Sequence, residues 1–318
     1  MTDFDIHPDM ADLLAAKKNV PVLTDPAEAR AAWDAYGESM KRPYPIGMVV
    51  RDTVFPPPAG ESREIPIRIY QPAQAKPGGP CVFYLHGGAF IKGSLESGDV
   101  VAWGVADQVG CTVISVDYRL APDFPYPAAL EDCYAALCHA VAHSAELGID
   151  GSRIGVWGDS AGANLSAALC LLTRDRKGPR ISAQALNYPC LTDELTSDSY
   201  RRYAESPGLR TDHMNKCWGL YLRGERPTKY DYAAPLKAPN LRNLPPAHIH
   251  IAEIDPLSDD GRGYARRLRE AGGKVEFRVA KRMIHGFLRA RFTGPDAAAE
   301  FATPCAFLRS HLTQLLHP

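Results

Sequence analysis

Short apolar runs alternate with helix-patterned stretches between residues 81 and 188, and that rhythm leaves few folds open. Residues 81–85, 112–116, 153–157 and 181–188 read as strands, and residues 99–109, 128–147 and 161–174 read as helices. Strands joined by helical crossovers run parallel and need cover on both faces. A mostly parallel sheet with helices on both sides is therefore predicted. Upstream, Ile65, Ile67 and Ile69 alternate in a way that suits an antiparallel, half-buried strand, closed by a Pro/Gly-rich loop at 72–80.

After residue 188 the next strand pattern, 247–254, is long delayed. The intervening residues include "TDHMNKCWGLYLRG", in which Thr211 or Asp212 can cap a helix ending near Gly224. Beyond 254 come a helix ending at Gly272-Gly273, a strand at 275–280 and a last helix interrupted near Pro304. Near the start, Asp25, Pro26 and Glu28 have the spacing of a helix cap, and Ala29, Trp33, Tyr36 and Met40 share one face. That helix either packs on the core or serves as a lid. The division expected is a helical cap segment at 1–45, a core at 46–190, a cap insertion at 191–235 and the rest of the core at 236–318.

Composition narrows the partners. Lys plus Arg total 36 against 37 for Asp plus Glu, which argues against nucleic acid or an anionic membrane surface and leaves small molecules. No segment is long and apolar enough to span a bilayer, and the acidic start "MTDFDIHPD" has no secretory pattern. The eight cysteines form no C-x-x-C and read as buried thiols, so a cytoplasmic location is expected. His248 and His250 alternate on one strand with no third metal ligand and read as packing residues, so no metal is expected.

The chemistry gathers where predicted strands end, which is where open α/β sheets place their ligand sites. Ser160 stands in G-x-S-x-G between a strand and a helix, and Asp255 and His285 follow later strands. A serine hydroxyl needs a base to take its proton, and the base needs a carboxylate to fix its tautomer and steady its cation. The order Ser, Asp, His is that of an α/β-hydrolase. Asp259 and Asp260 compete with Asp255 but suit capping of the next helix. "HGGAF" supplies Gly87 and Gly88, which together with Ala161 are expected to donate N–H groups to an oxyanion. Asp117, Asp159 and Asn164 read as scaffold, and Arg262, Arg266, Arg267 and Arg269 as a solvated helix face.

"HGGAF" at 86–90, "DYRLAPDFPYPAAL" at 117–130, "GDSAGANL" at 158–165, "DPLSDD" at 255–260 and "HGF" at 285–287 resemble the hormone-sensitive-lipase-like, GDSAG-type branch (bacterial family IV) of α/β-hydrolase carboxylesterases. The likeness spans about residues 48–312. It implies the α/β-hydrolase fold with an eight-stranded sheet and a helical cap. It also implies a serine esterase without metal or cofactor that acts on small esters of short acyl chains. Dimers are common among similar enzymes, so a homodimer is one state open to the chain. His86 matches a structural position of the family.

Ala89, Ala163 and Asp123 depart from the family's usual Gly, Gly and Glu. Gly87 and Gly88 remain, and Ala89 reshapes the alcohol side of the pocket. Trp33, Tyr36 and Trp218 are candidates for lining that pocket, against the alternative that they pack the core. A small-molecule receptor on the same fold is the rival class, and an amidase, lactonase or acyltransferase is open within the hydrolase class. No S-x-x-K, G-x-x-x-x-G-K-[ST] or G-x-G-x-x-G occurs.

Overall fold

A computed structural model describes residues 4–18, 20 and 25–313. Its eight strands are β1 (Val49–Phe55), β2 (Ile65–Gln71), β3 (Gly79–Leu85), β4 (Thr112–Val116), β5 (Ile149–Asp159), β6 (Ala183–Asn187), β7 (Ala247–Ile254) and β8 (Val275–Ile284). They form one sheet in the order β1-β2-β4-β3-β5-β6-β7-β8. β1 and β2 pair antiparallel, as do β2 and β4, and every other neighbouring pair is parallel. The register sets Leu85 opposite Gly158 and Asp159 opposite Asn187, which brings several strand ends to one edge.

The helices are α1 (Ala11–Lys18), α2 (Pro26–Ser39), α3 (Leu95–Val109), α4 (Ala128–Ala142), α5 (Ala161–Asp175), α6 (Asp198–Arg202), α7 (Thr211–Tyr221), α8 (Ser258–Glu270) and α9 (Pro295–Thr313). Asp25 caps α2 as its spacing predicts, accepting from the Glu28 N–H at 2.9 Å. Tyr36 of α2 and Met40 just past its end are buried in one apolar cluster with residues of α3 and α9, and Trp33 packs against it. A second cluster holds the buried faces of α4, α5 and α7. All eight cysteines are free thiols, seven of them buried. Among the described residues no helix is long and apolar enough to cross a membrane.

Four local expectations fail for tertiary reasons. β2 is covered on both faces, not one: Tyr70 is as buried as Ile67, and its hydroxyl donates to Asp99 of α3 at 2.8 Å. Arg68 is also buried and is paired with Asp52, Glu96 and Asp99. α9 runs through Pro304 without interruption, since Phe301, Pro304, Cys305 and Leu308 are buried together and that packing outweighs one lost backbone bond. α7 has no side-chain cap, because the Thr211 hydroxyl donates to Tyr200 O at 2.9 Å instead. Arg267 leaves the solvated row of α8 and donates to the carbonyls of Leu236 and Ala238.

β7 buries His248 and His250. His250 bonds Glu300 at 2.9 Å, while His248 packs near the Phe307 ring with its Nδ1 unpartnered. Burial, with help from His250 and Arg278, pushes His248 down to about 3. The unfolded chain therefore binds a proton below about pH 6.5 that the folded chain excludes, and stability falls as pH falls through that value. His248→Phe removes this penalty. Urea unfolding of the variant is expected to lose about 2 kcal/mol less than the parent between pH 7.5 and pH 5.

Candidate active site

β5 ends at Asp159 and α5 begins at Ala161, which leaves Ser160 alone in the turn with φ 56° and ψ −118°. A non-glycine residue in this region is strained and persists only where its surroundings force it. The flanking glycines make the turn possible. A Cβ at Gly158 would lie 2.1 Å from Gly162 O, and one at Gly162 would lie 1.8 Å from Leu85 O. In an open helix Gly→Ala gains about 1 kcal/mol, but here the obstacle is backbone that cannot step aside. Gly162→Ala is expected to lose more than about 3 kcal/mol in urea unfolding, or to fail to fold.

His285 follows β8 directly, because β8 continues four residues past the predicted end to Ile284. Asp255 follows β7. The imidazole lies between the other two side chains, with Nε2 2.9 Å from Ser160 Oγ and Nδ1 2.7 Å from Asp255 Oδ2. All three are buried. Asp255 Oδ1 also accepts from the Leu257 N–H at 3.0 Å, which fixes the carboxylate. The competing acids are committed elsewhere and cap no helix of their own. Asp260 accepts from the N–H groups of Leu191 and Thr192, and Asp259 from that of Ser199.

Of the three N–H groups expected at an oxyanion, that of Gly87 is already bonded. Gly87 donates its N–H to Asp159 Oδ1 at 3.2 Å, and Tyr84 donates to the same oxygen at 2.9 Å. Asp159 is thus the scaffold residue it was expected to be, and Gly87 is engaged. Gly88 has φ 148° and Ala89 φ 55°. Among the described residues no backbone or side-chain acceptor pairs with the N–H of Gly88, Ala89 or Ala161. His86 stacks on Tyr118 with ring centroids 4.2 Å apart, and burial pushes it down to about 4, so it holds the loop as a neutral ring. Asn164 is scaffold too, donating to the carbonyls of Cys190 and Ala233.

Trp218 is fully buried between Phe90 and Tyr221, with ring centroids 5.1 and 5.9 Å away. Trp33 and Tyr36 lie 5.0 Å apart beside Arg289. Sequence reasoning missed three cations. Lys17 Nζ donates to the carbonyls of His285 and Gly208 at 2.9 and 2.7 Å, Lys92 Nζ sits 4.2 Å from the Trp33 ring centroid, and Arg289 donates to Ser97 O at 2.6 Å. No local spacing announces them, since each meets its neighbours across long stretches of chain.

Two other features lie apart. A groove of about 790 Å³ lined by residues that include Pro56, Arg119, Phe124 and Tyr134 contains none of Ser160, His285 and Asp255. His7, Asp9 and Asp296 bring metal-ligand atoms within 4.8 Å of one another, but Asp9 is already bonded to the N–H groups of Asp296 and Ala297 at the start of α9.

Known proteins similar to this chain identify its family. The family described as alpha/beta hydrolase fold matches residues 82–289. The carboxylesterase NlhH of Mycobacterium tuberculosis is 40% identical over 252 residues, which cover 78% of this chain and 79% of that protein. The ethyl acetate hydrolase of Pseudomonas putida is 34% identical over 257 residues, 79% of this chain and 80% of that one. A bacterial heroin esterase of known structure superposes with a TM-score of 0.89 at 33% identity, covering 98% of this chain and 99% of that one. The chain belongs to the α/β-hydrolase fold family, in its hormone-sensitive-lipase-like branch of carboxylic ester hydrolases.

Proposed function

We propose that the chain hydrolyses carboxylic esters of short acyl chains through an acyl-enzyme. The observation that carries this reading is the continuous line from Ser160 Oγ through both ring nitrogens of His285 to Asp255. Ser160 attacks the ester carbonyl while His285 Nε2 takes its proton, and Asp255 steadies the imidazolium. The imidazolium then returns the proton to the leaving alkoxide. Water attacks the acyl-enzyme by the same relay run in reverse, freeing the acid and Ser160.

The developing oxyanion is received by the N–H groups of Gly88 and Ala161. Ala89 takes the place expected of Gly87, whose N–H is bonded to Asp159. The positive φ at Ala89, in a loop held by the His86–Tyr118 stack, supports this choice. Each such donor is worth about 10²- to 10³-fold in turnover.

Residues 1–45 and 191–235 act as one cap over a core of 46–190 and 236–318; residues 1–3, 19, 21–24 and 314–318 lie outside the described ones. The Lys17 bond to Gly208 O supports the joining of the two cap segments, and the Asn164 bonds to Cys190 and Ala233 support an insertion anchored at both ends. Short acyl chains are favoured by the likeness to an ethyl acetate hydrolase. A receptor reading is not favoured, because a binding protein has no use for an aligned base and acid. Steady-state hydrolysis of p-nitrophenyl acetate, butyrate and decanoate tests the proposal. Turnover of the first two with a steep fall at decanoate is expected, and no turnover of any of them would refute it.

A further inference from the structure

Three cations gathered through the Trp33 ring and the turn after His285 hold no carboxylate at ion-pair distance among the described residues. Among the described residues Lys17, Lys92 and Arg289 form no ion pair, although acidic residues slightly outnumber basic ones in the chain. Other buried arginines are paired: Arg68 meets Asp52, Glu96 and Asp99, and Arg119 meets Asp132 and Glu61. Arg291 is unpaired as well, but three aromatic rings lie within 4.5 Å of its guanidinium carbon. The rings beside Arg289, those of Trp33 and Tyr36, stand off at 5.8 and 5.6 Å. A charge taken out of water without a partner is destabilising by several kcal/mol, so an arrangement of this kind persists when something else uses it.

The donors around these cations are also unspent. Arg289 is 3% exposed and its Nη2 has no acceptor, and the same holds for the buried Tyr36 hydroxyl and Trp33 Nε1. Trp33 joins the group into one patch, with Lys92 Nζ 4.2 Å and the Arg289 guanidinium carbon 5.8 Å from its ring centroid. Lys17 ties the patch to the chemistry, because its ammonium bonds the carbonyl of His285 itself. Asp159 and Asp255 are the nearby acids: Asp159 Oδ1 is bonded to Gly87 and Tyr84 and Asp255 to His285 and Leu257, and although Asp159 attracts Arg289 and Asp255 attracts Lys17 across the site, neither comes within ion-pair distance of the three cations. Burial, helped by the Arg289 charge and opposed by Asp255, lowers Lys17 to about 7, and burial lowers Lys92 as well, whereas Arg289, despite its burial, is raised by the tyrosine rings and the acid around it.

We infer that the preferred substrates are esters bearing a carboxylate a few bonds from the ester group, received by Lys92, Arg289 and Lys17 with Tyr36 and Trp33 as neutral donors. The inference rests on the esterase reading above and sharpens it to a substrate class. A carboxylate supplies the acceptors these donors lack, and charge-assisted bonds of this type are the strong ones.

Two matched pairs test it, each exchanging one methyl group for a carboxylate: ethyl butyrate with ethyl hydrogen succinate, and propyl acetate with 3-acetoxypropanoate. The first puts the charge on the acyl half and the second on the alcohol half. In at least one pair the acid member is expected to have a kcat/KM about tenfold or more above its neutral partner, carried mainly by KM. Lys92→Met and Arg289→Gln are each expected to bring that ratio down about tenfold. Lys92 is only partly buried, so its variant keeps the test open if Arg289→Gln does not fold. Equal or better use of the neutral member in both pairs overturns the inference while leaving the esterase intact. So does an acid preference that both folded variants retain. If no ester of either pair is hydrolysed, the esterase reading fails and the inference falls with it.

Discussion

Ser160→Ala is expected to lower kcat for p-nitrophenyl butyrate by about 10⁵-fold or more, with the cooperative unfolding transition retained. The size follows from the arrangement. In the proposed mechanism the line from hydroxyl to imidazole to carboxylate works as a unit, so removing the Ser160 hydroxyl would idle the other two members and leave only the oxyanion donors and binding. Alanine at position 160 is smaller than serine, and the turn is imposed by Gly158 and Gly162 rather than by the hydroxyl. The fold therefore survives while the chemistry stops. Hydrolysis within tenfold of the parent would remove Ser160 from the mechanism.

Asp255→Asn is the second large effect, with a loss in kcat of about 10⁴-fold. An asparagine keeps the volume in a fully buried place, and its carbonyl can still accept from the Leu257 N–H. The amide group reverses the preferred direction of the bond to His285 Nδ1 and holds the ring in the tautomer that cannot accept the Ser160 proton. The buried site gives the altered pair no water to relax into. A kcat/KM profile from pH 5 to 10 separates this from simple misplacement: the variant is expected to stay low throughout, while a structural defect alone would keep the parent's profile at reduced height. Asp259→Asn and Asp260→Asn serve as controls, since those carboxylates bond the chain at 191–200 and not His285.

The parts of the site that sequence made legible are those written in local residue types. A serine between two glycines at a strand end, an acid before a proline and a histidine before a glycine each carry a backbone requirement that few residues meet. β4 and β7 are legible for a related reason, since their apolar runs are bounded by helices or turns and their ends are found where predicted. What was hidden depends on partners far along the chain. The second face of β2 is covered by α3, which supplies Asp99 to Tyr70 and Arg68. α9 keeps Pro304 because of the residues buried around it. The engagement of Gly87 needs the Asp159 carboxylate to approach from β5. The three cations beside the site come from α1, from the loop after β3 and from the turn after His285, and no spacing rule joins them.

Labelling with a fluorophosphonate, read by intact mass and peptide mapping, reports whether Ser160 is an activated nucleophile. A phosphonate adds covalently to a serine only when a base has drawn off its proton and an oxyanion site can hold the product. One adduct per chain is expected, on Ser160, and none in His285→Ala over the same time. A folded chain that takes no label, or one that carries it on another residue, would contradict the proposed mechanism.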